Sequence, residues 1–131
     1  MRTRLVLGAM FIAVLAVAAV AAVEPSVGAR QQGIAFFLRP TQVAGVMVQG
    51  KTLIVHDDRK MARGEPCTTI YRYHGKVTTP IVSFMCKPEA RPVAQKMIVK
   101  CVPNTFTWTT DVMTEYQFAG EAEAHGVPSS R

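Results

Sequence analysis

The sequence predicts an all-β fold, a small antiparallel sandwich or barrel of about six to eight short strands. Two observations support this prediction. The apolar stretches are short and rich in β-branched and aromatic residues, and turn-forming residues separate them roughly every ten positions. No stretch shows the apolar spacing of a convincing amphipathic helix. The predicted strands cover residues 34–38, 43–48, 52–56, 68–73, 81–86, 96–102 and 106–118.

The chain opens with a short basic head followed by a charge-free apolar run over residues 5–23. Arg2 and Arg4 favour retention of this end in the cytoplasm, and the run behind them is typical of an export signal. We therefore expect a signal peptide over residues 1–22 and a periplasmic or secreted product. The alternative is an uncleaved anchor in the inner membrane with the domain facing the periplasm, because the run approaches the ~20 residues that span a bilayer.

The rest of the chain divides into three predicted parts. Residues 23–33 contain Pro25 and Gly28 and predict a flexible lead-in, residues 34–120 form a single β domain, and residues 121–131 form a flexible tail. Glycines predict hairpin turns at residues 49–51 and 74–76. In the last strand, Phe106, Trp108, Tyr116 and Phe118 share one parity, which predicts one apolar face.

The charge of the exported part argues against nucleic-acid binding. Removal of residues 1–22 leaves 13 Lys and Arg against nine Asp and Glu, a net charge of about +4. The basic residues are scattered singly and do not form a stripe interleaved with aromatic side chains, which is the pattern of a nucleic-acid surface. The expected partner is instead a protein or another envelope component, and contact with the membrane is expected only through an uncleaved N-terminal segment.

Three cysteines in an oxidising compartment allow one intrachain disulfide and leave one sulfur over. A turn at residues 74–76 places residues whose numbers sum to about 150 opposite each other, so Cys67 is expected to pair with Cys86. Cys101 then remains as the free thiol. It is expected to act as a small buried apolar residue, with an intermolecular disulfide, a redox thiol or a metal ligand as alternatives.

The densest polar cluster contains His56, Asp57 and Asp58, with Met61 close behind. An imidazole beside carboxylates can bind a metal ion or transfer a proton, whereas the same residues also suit a solvated turn. A soft-metal site for copper could draw on the cysteines, His56 and methionines, although no paired-ligand motif such as C-x-x-C is present.

The chain contains no G-x-S-x-G motif, no glycine-rich phosphate loop and no zinc-hydrolase motif, so we expect no enzyme. The first functional hypothesis is an exported, non-catalytic β domain that binds a macromolecular partner or the envelope surface through the loop around residues 56–66. The alternative is a periplasmic redox or copper-handling protein whose unpaired cysteine acts with His or Met.

Overall fold

The computed structural model describes residues 30–130, so the predicted signal peptide and most of the lead-in lie outside the described residues. Eight strands and one short helix make up this part of the chain. They are β1 (Arg30–Val43), β2 (Val46–Asp57), α1 (Asp58–Ala62), β3 (Thr68–His74), β4 (Val77–Phe84), β5 (Lys87–Ala90), β6 (Ile98–Pro103), β7 (Asp111–Gln117) and β8 (Glu123–Gly126). The prediction of an all-β fold is confirmed.

The strands form one curled sheet that resembles half of a barrel, not a two-layer sandwich. Their order is β4-β3-β2-β1-β7-β8-β5, and β6 pairs with β7 outside this order. All pairs are antiparallel except β1 and β7, which run parallel where Thr41 faces Asp111. The curl encloses a core of Val43, Val48, Ile54, Ile70, Val82, Phe84, Met113, Tyr116 and Phe118.

Two hairpins build the first half of the sheet. The β1–β2 turn lies at Ala44 and Gly45, whose φ angles of 47° and 84° match the positive-φ turns that suit the twist of paired strands. The predicted turn at residues 74–76 is confirmed, because His74 faces Val77 across the β3–β4 hairpin and Gly75 has a positive φ of 64°.

Three predictions about strand boundaries are wrong. Residues 49–51 do not turn the chain, because Gly50 lies inside β2 opposite Phe37. The strand predicted over residues 106–118 begins only at Asp111. The predicted tail contains β8, which pairs with both β5 and β7, so the sheet extends past residue 120.

No helix in the described residues has the length and apolar character needed to cross a bilayer.

Candidate metal centre

His56 reaches the interior because it lies on the inner face of β2. It shares that face with Ile54, two residues earlier, and both side chains are fully buried. The strand ends at the next residue, since the Asp57 carboxylate accepts a hydrogen bond of 2.9 Å from the Arg59 backbone N–H and caps α1. The chain thus leaves the sheet one residue after His56, whose imidazole lies in the core.

The β3–β4 hairpin brings two cysteines next to each other. Cys67 lies just before β3 and Cys86 just after β4, and the Cys86 backbone N–H donates to Cys67 Sγ at 3.2 Å. Their Sγ atoms are 3.0 Å apart, whereas a disulfide bond measures about 2.05 Å. Both residues are free thiols, so the expected disulfide is not formed in the structure.

His125 completes the cluster from β8, where it faces Tyr116 of β7. Its ring stacks on the Tyr116 ring at 4.9 Å between centroids and lies 4.2 Å from the His56 ring. The Nδ1 atom is 3.5 Å from Cys86 Sγ. The Tyr116 hydroxyl is held by a hydrogen bond with the Thr68 hydroxyl, which fixes the aromatic wall behind the two imidazoles.

The donor atoms of His56, Cys86 and His125 all lie within 4.8 Å of one another, and all three side chains are buried. Cys67 Sγ adds a second sulfur beside Cys86. Metal–ligand bonds of about 2.0–2.3 Å in a tetrahedral site place donor atoms roughly 3.3–3.8 Å apart. The three donors of His56, Cys86 and His125 are therefore close to the spacing of a metal site, whereas Cys67 is next to Cys86 alone among them.

The imidazole of His56 is the least satisfied polar group of the cluster. Neither Nδ1 nor Nε2 has a hydrogen-bond partner among the described residues, although both atoms are buried. Asp58 Oδ1 lies 3.3 Å from Nδ1 but outside hydrogen-bonding geometry. A buried polar group left without a partner costs about 1–3 kcal/mol and calls for an explanation, of which a bound ion is one.

Burial favours the neutral forms of His56, Cys86 and His125. It lowers the pKa of His125 to about 4, with the nearby His56 as a second cause, and it lowers the pKa of His56 against the opposing pull of Asp58. Burial, followed by the adjacent Cys67, raises the pKa of the Cys86 thiol to about 12. Two neutral imidazoles with available lone pairs thus lie beside two thiols.

The structure separates the residues that were predicted to act together. His56 lies in the cluster, whereas Asp57 caps the helix and the half-exposed Asp58 lies at its rim. Met61 is half-buried and packs against the hydrophobic core. Cys101 lies on β6 and is exposed, so the expectation that it is a buried apolar residue is wrong.

Sequence reasoning missed His125 as a site residue because it assigned that segment to a flexible tail. The local sequence carried no signal for it, because the adjacent Ala124 and His125 are both buried and β8 therefore shows no alternation. Comparisons with protein-family models, with curated proteins and with solved structures found no match to this chain.

Proposed function

We propose that this domain binds a single thiophilic metal ion, copper(I) or zinc(II), through His56, Cys86 and His125, with Cys67 as the fourth ligand. The observation that carries the proposal is the fully buried His56 imidazole without a hydrogen-bond partner, next to two thiols and a second imidazole. A bound ion would be a partner for the His56 imidazole, which is buried without a hydrogen bond among the described residues.

The chemistry of the donors selects the class of metal. Thiolate and imidazole ligands suit copper(I) and zinc(II), whereas calcium and magnesium require mainly oxygen ligands. Metal binding would displace the proton of each thiol, and the positive ion would offset the burial that disfavours the Cys86 thiolate.

The burial of the cluster favours holding a metal over catalysis with one. Catalytic zinc sites keep one coordination position open to water or substrate, whereas structural sites are closed by four protein ligands. Here all four donors come from the protein and lie in the interior of the curled sheet. We therefore propose metal storage, metal transfer or metal-dependent folding as the activity.

Export remains part of this proposal. The leader predicts a periplasmic or secreted protein, or one that is anchored on the periplasmic side, and a bound metal would protect the two neighbouring thiols from oxidation in that compartment. In the same compartment, oxidation of Cys67 and Cys86 to a disulfide competes with metal binding, because it removes both thiolate ligands.

The test is metal analysis of the protein as purified from the cell envelope or the medium. We expect close to one equivalent of copper or zinc per chain, and cobalt(II) added in its place should give the intense visible bands of a tetrahedral thiolate site. Cys86→Ser and His125→Gln should each lower the metal affinity at least tenfold.

Matched controls are available within the chain. Cys101→Ser and His74→Gln change exposed residues of the same two types and should leave the metal content unchanged. Circular dichroism of each variant separates loss of ligand from loss of fold. A metal-free protein with only one titratable thiol, and with no cobalt bands after reduction under anaerobic conditions, would overturn the proposal.

A further inference from the structure

The outer face of β1 carries apolar side chains where a soluble strand normally carries polar ones. Ala35 and Phe37 point into the core, whereas Ile34, Phe36 and Leu38 alternate with them and are exposed. Leu38 is 81% exposed. The alternation that builds a half-buried strand is therefore present, but both of its faces are apolar.

A loop beside β1 adds two aromatic side chains to this face. Residues 104–110, here called the aromatic loop, connect β6 to β7 and carry Phe106 and Trp108, which are 93% and 92% exposed. The loop is ordered by its own hydrogen bonds, from the Asn104 backbone N–H to the Thr110 carbonyl at 3.0 Å and from the Phe106 backbone N–H to the Asn104 side chain at 2.9 Å. The two rings project from a folded support.

Arg39 joins the aromatic loop to β1. Its guanidinium donates to the Trp108 carbonyl at 2.9 Å and lies 3.4 Å from the Asp111 carboxylate. A groove of about 280 Å³ continues this surface, and Phe36, Leu38, Val99 and Cys101 are among the residues that line it. Arg39 thus links the aromatic loop to the strand that carries Phe36 and Leu38. Exposed apolar side chains concentrated on neighbouring elements usually mark an interaction site.

We propose that this surface, formed by the outer face of β1 and the aromatic loop, docks onto an anionic lipid bilayer. Tryptophan and phenylalanine on a protruding tip suit the boundary between headgroups and acyl chains. One basic side chain on this face complements such a membrane: Lys51 lies opposite Phe36, and its Nζ is 4.7 Å above the Tyr73 ring.

The described part of the chain is also positive as a whole. Residues 30–130 contain 12 Lys and Arg against eight Asp and Glu, a net charge of +4. Positive charge close to an apolar surface strengthens adsorption to anionic lipid. The proposal concerns the outer surface alone and does not depend on metal binding.

The test uses the single tryptophan of the chain as a reporter, because Trp108 lies within the proposed contact. The protein purified after export is mixed with vesicles of phosphatidylcholine alone or with added phosphatidylglycerol. We expect a blue shift of the emission and quenching by brominated lipid, both stronger with the anionic vesicles. If an uncleaved N-terminal segment alone attached the protein to the vesicles, Trp108 would stay in water and would show neither the shift nor the quenching.

Variants that keep the reporter locate the contact. Phe106→Ser and Leu38→Ser should each weaken vesicle binding at least about tenfold. Val93→Ser replaces an exposed apolar residue outside this surface and should change the binding less than twofold. Co-sedimentation gives an independent measure of the same affinities.

Three results would overturn the proposal. One is unchanged Trp108 emission with every vesicle composition. Another is a blue shift that depends on protein concentration without lipid, which would assign the surface to a second copy of the chain. The third is binding that the Phe106 and Leu38 variants retain in full.

Discussion

The buried cluster around His56 and the exposed surface around Trp108 depart from the usual distribution of residues in opposite directions. At the cluster, an imidazole lies in the core without a hydrogen-bond partner among the described residues. At the surface, two aromatic rings lie almost entirely in solvent. Buried polar groups and exposed apolar surface are the two departures that carry functional information.

Under the two proposals, the cluster and the surface bind partners of opposite kinds. The cluster offers lone pairs and thiols to something small and positively charged, which can enter a closed site. The surface offers apolar area and nearby cations to something large and anionic. The same sheet supports both because the inner and outer sides of a curled sheet face different surroundings.

Metal removal should act on the cluster alone, and it should change stability more than the loss of any surface interaction. A ligand present at 100 times its dissociation constant stabilises the folded state by about 2.7 kcal/mol, which for a domain of this size corresponds to roughly 10–20 °C in the melting temperature. We expect a decrease of that order when a strong chelator is added, measured by circular dichroism.

The emission of Trp108 serves as the internal control for this prediction. Because its side chain lies in solvent, its spectrum should not change on chelation below the melting temperature. The Cys86→Ser variant should melt at the same temperature with and without chelator. A chelator-dependent shift in that variant would contradict a site built on Cys86.

A third region shows what ordinary polar groups do in this fold. Arg91 donates hydrogen bonds to both Glu89 and Glu115, with the closest contacts at 2.9 Å. These interactions hold the pKa of Glu115 below its usual range. Unlike His56, Arg91 and Glu115 have hydrogen-bond partners and lie near solvent. The Arg91–Glu115 pair should therefore contribute about 1 kcal/mol at most to the free energy of unfolding.

The pH dependence of this pair has a defined sign. Since the pKa of Glu115 is lower in the folded state, the unfolded state takes up the proton first as the pH falls. The contribution is therefore complete above the unfolded pKa of about 4.5 and is lost as the pH drops through the folded value. Urea unfolding of Glu115→Gln should show reduced stability at pH 7, and its difference from the parent should shrink as the pH falls below about 4.5.

The matched control for this pair is Glu65→Gln, which breaks the exposed Arg63–Glu65 pair. Because solvent screens that pair more strongly, the loss at pH 7 should be smaller. An equal loss in both variants would show that the burial of Glu115 adds nothing.

Local patterns predicted the β3–β4 hairpin. The glycine turn at Gly75 was sufficient for that pair and also placed Cys67 near Cys86, whereas the β1–β2 turn at Ala44 and Gly45 was not predicted. The strand β8 could not be predicted in this way. Its polar composition gives no periodic signal, and it is a strand only because β5 and β7 lie on either side of it.

The same limit explains the two errors that matter for function. His125 meets Cys86 across 39 residues of sequence, a contact that no local spacing encodes. Phe106 and Trp108 have the parity of a core-facing strand with Tyr116, but Asn104 and Thr110 close a loop that turns both rings outward. Odd or even position predicts which side chains share a face of a sheet only where the residues form a strand.

The smallest effect on stability is expected where the side chain is most exposed. Phe106→Ser should change the free energy of unfolding by no more than about 0.5 kcal/mol, because the ring has almost no buried area to lose. Phe37→Ala is the matched contrast, since that ring is only 5% exposed and its removal should cost about 3–5 kcal/mol. Urea unfolding measures both values.

If Phe106→Ser also proved strongly destabilising, the Phe106 ring would be packed against the protein in solution, and the argument that the aromatic loop makes an external contact would lose its physical basis. A near-zero change in stability together with lost vesicle binding would mean that Phe106 is retained for what it touches outside the molecule.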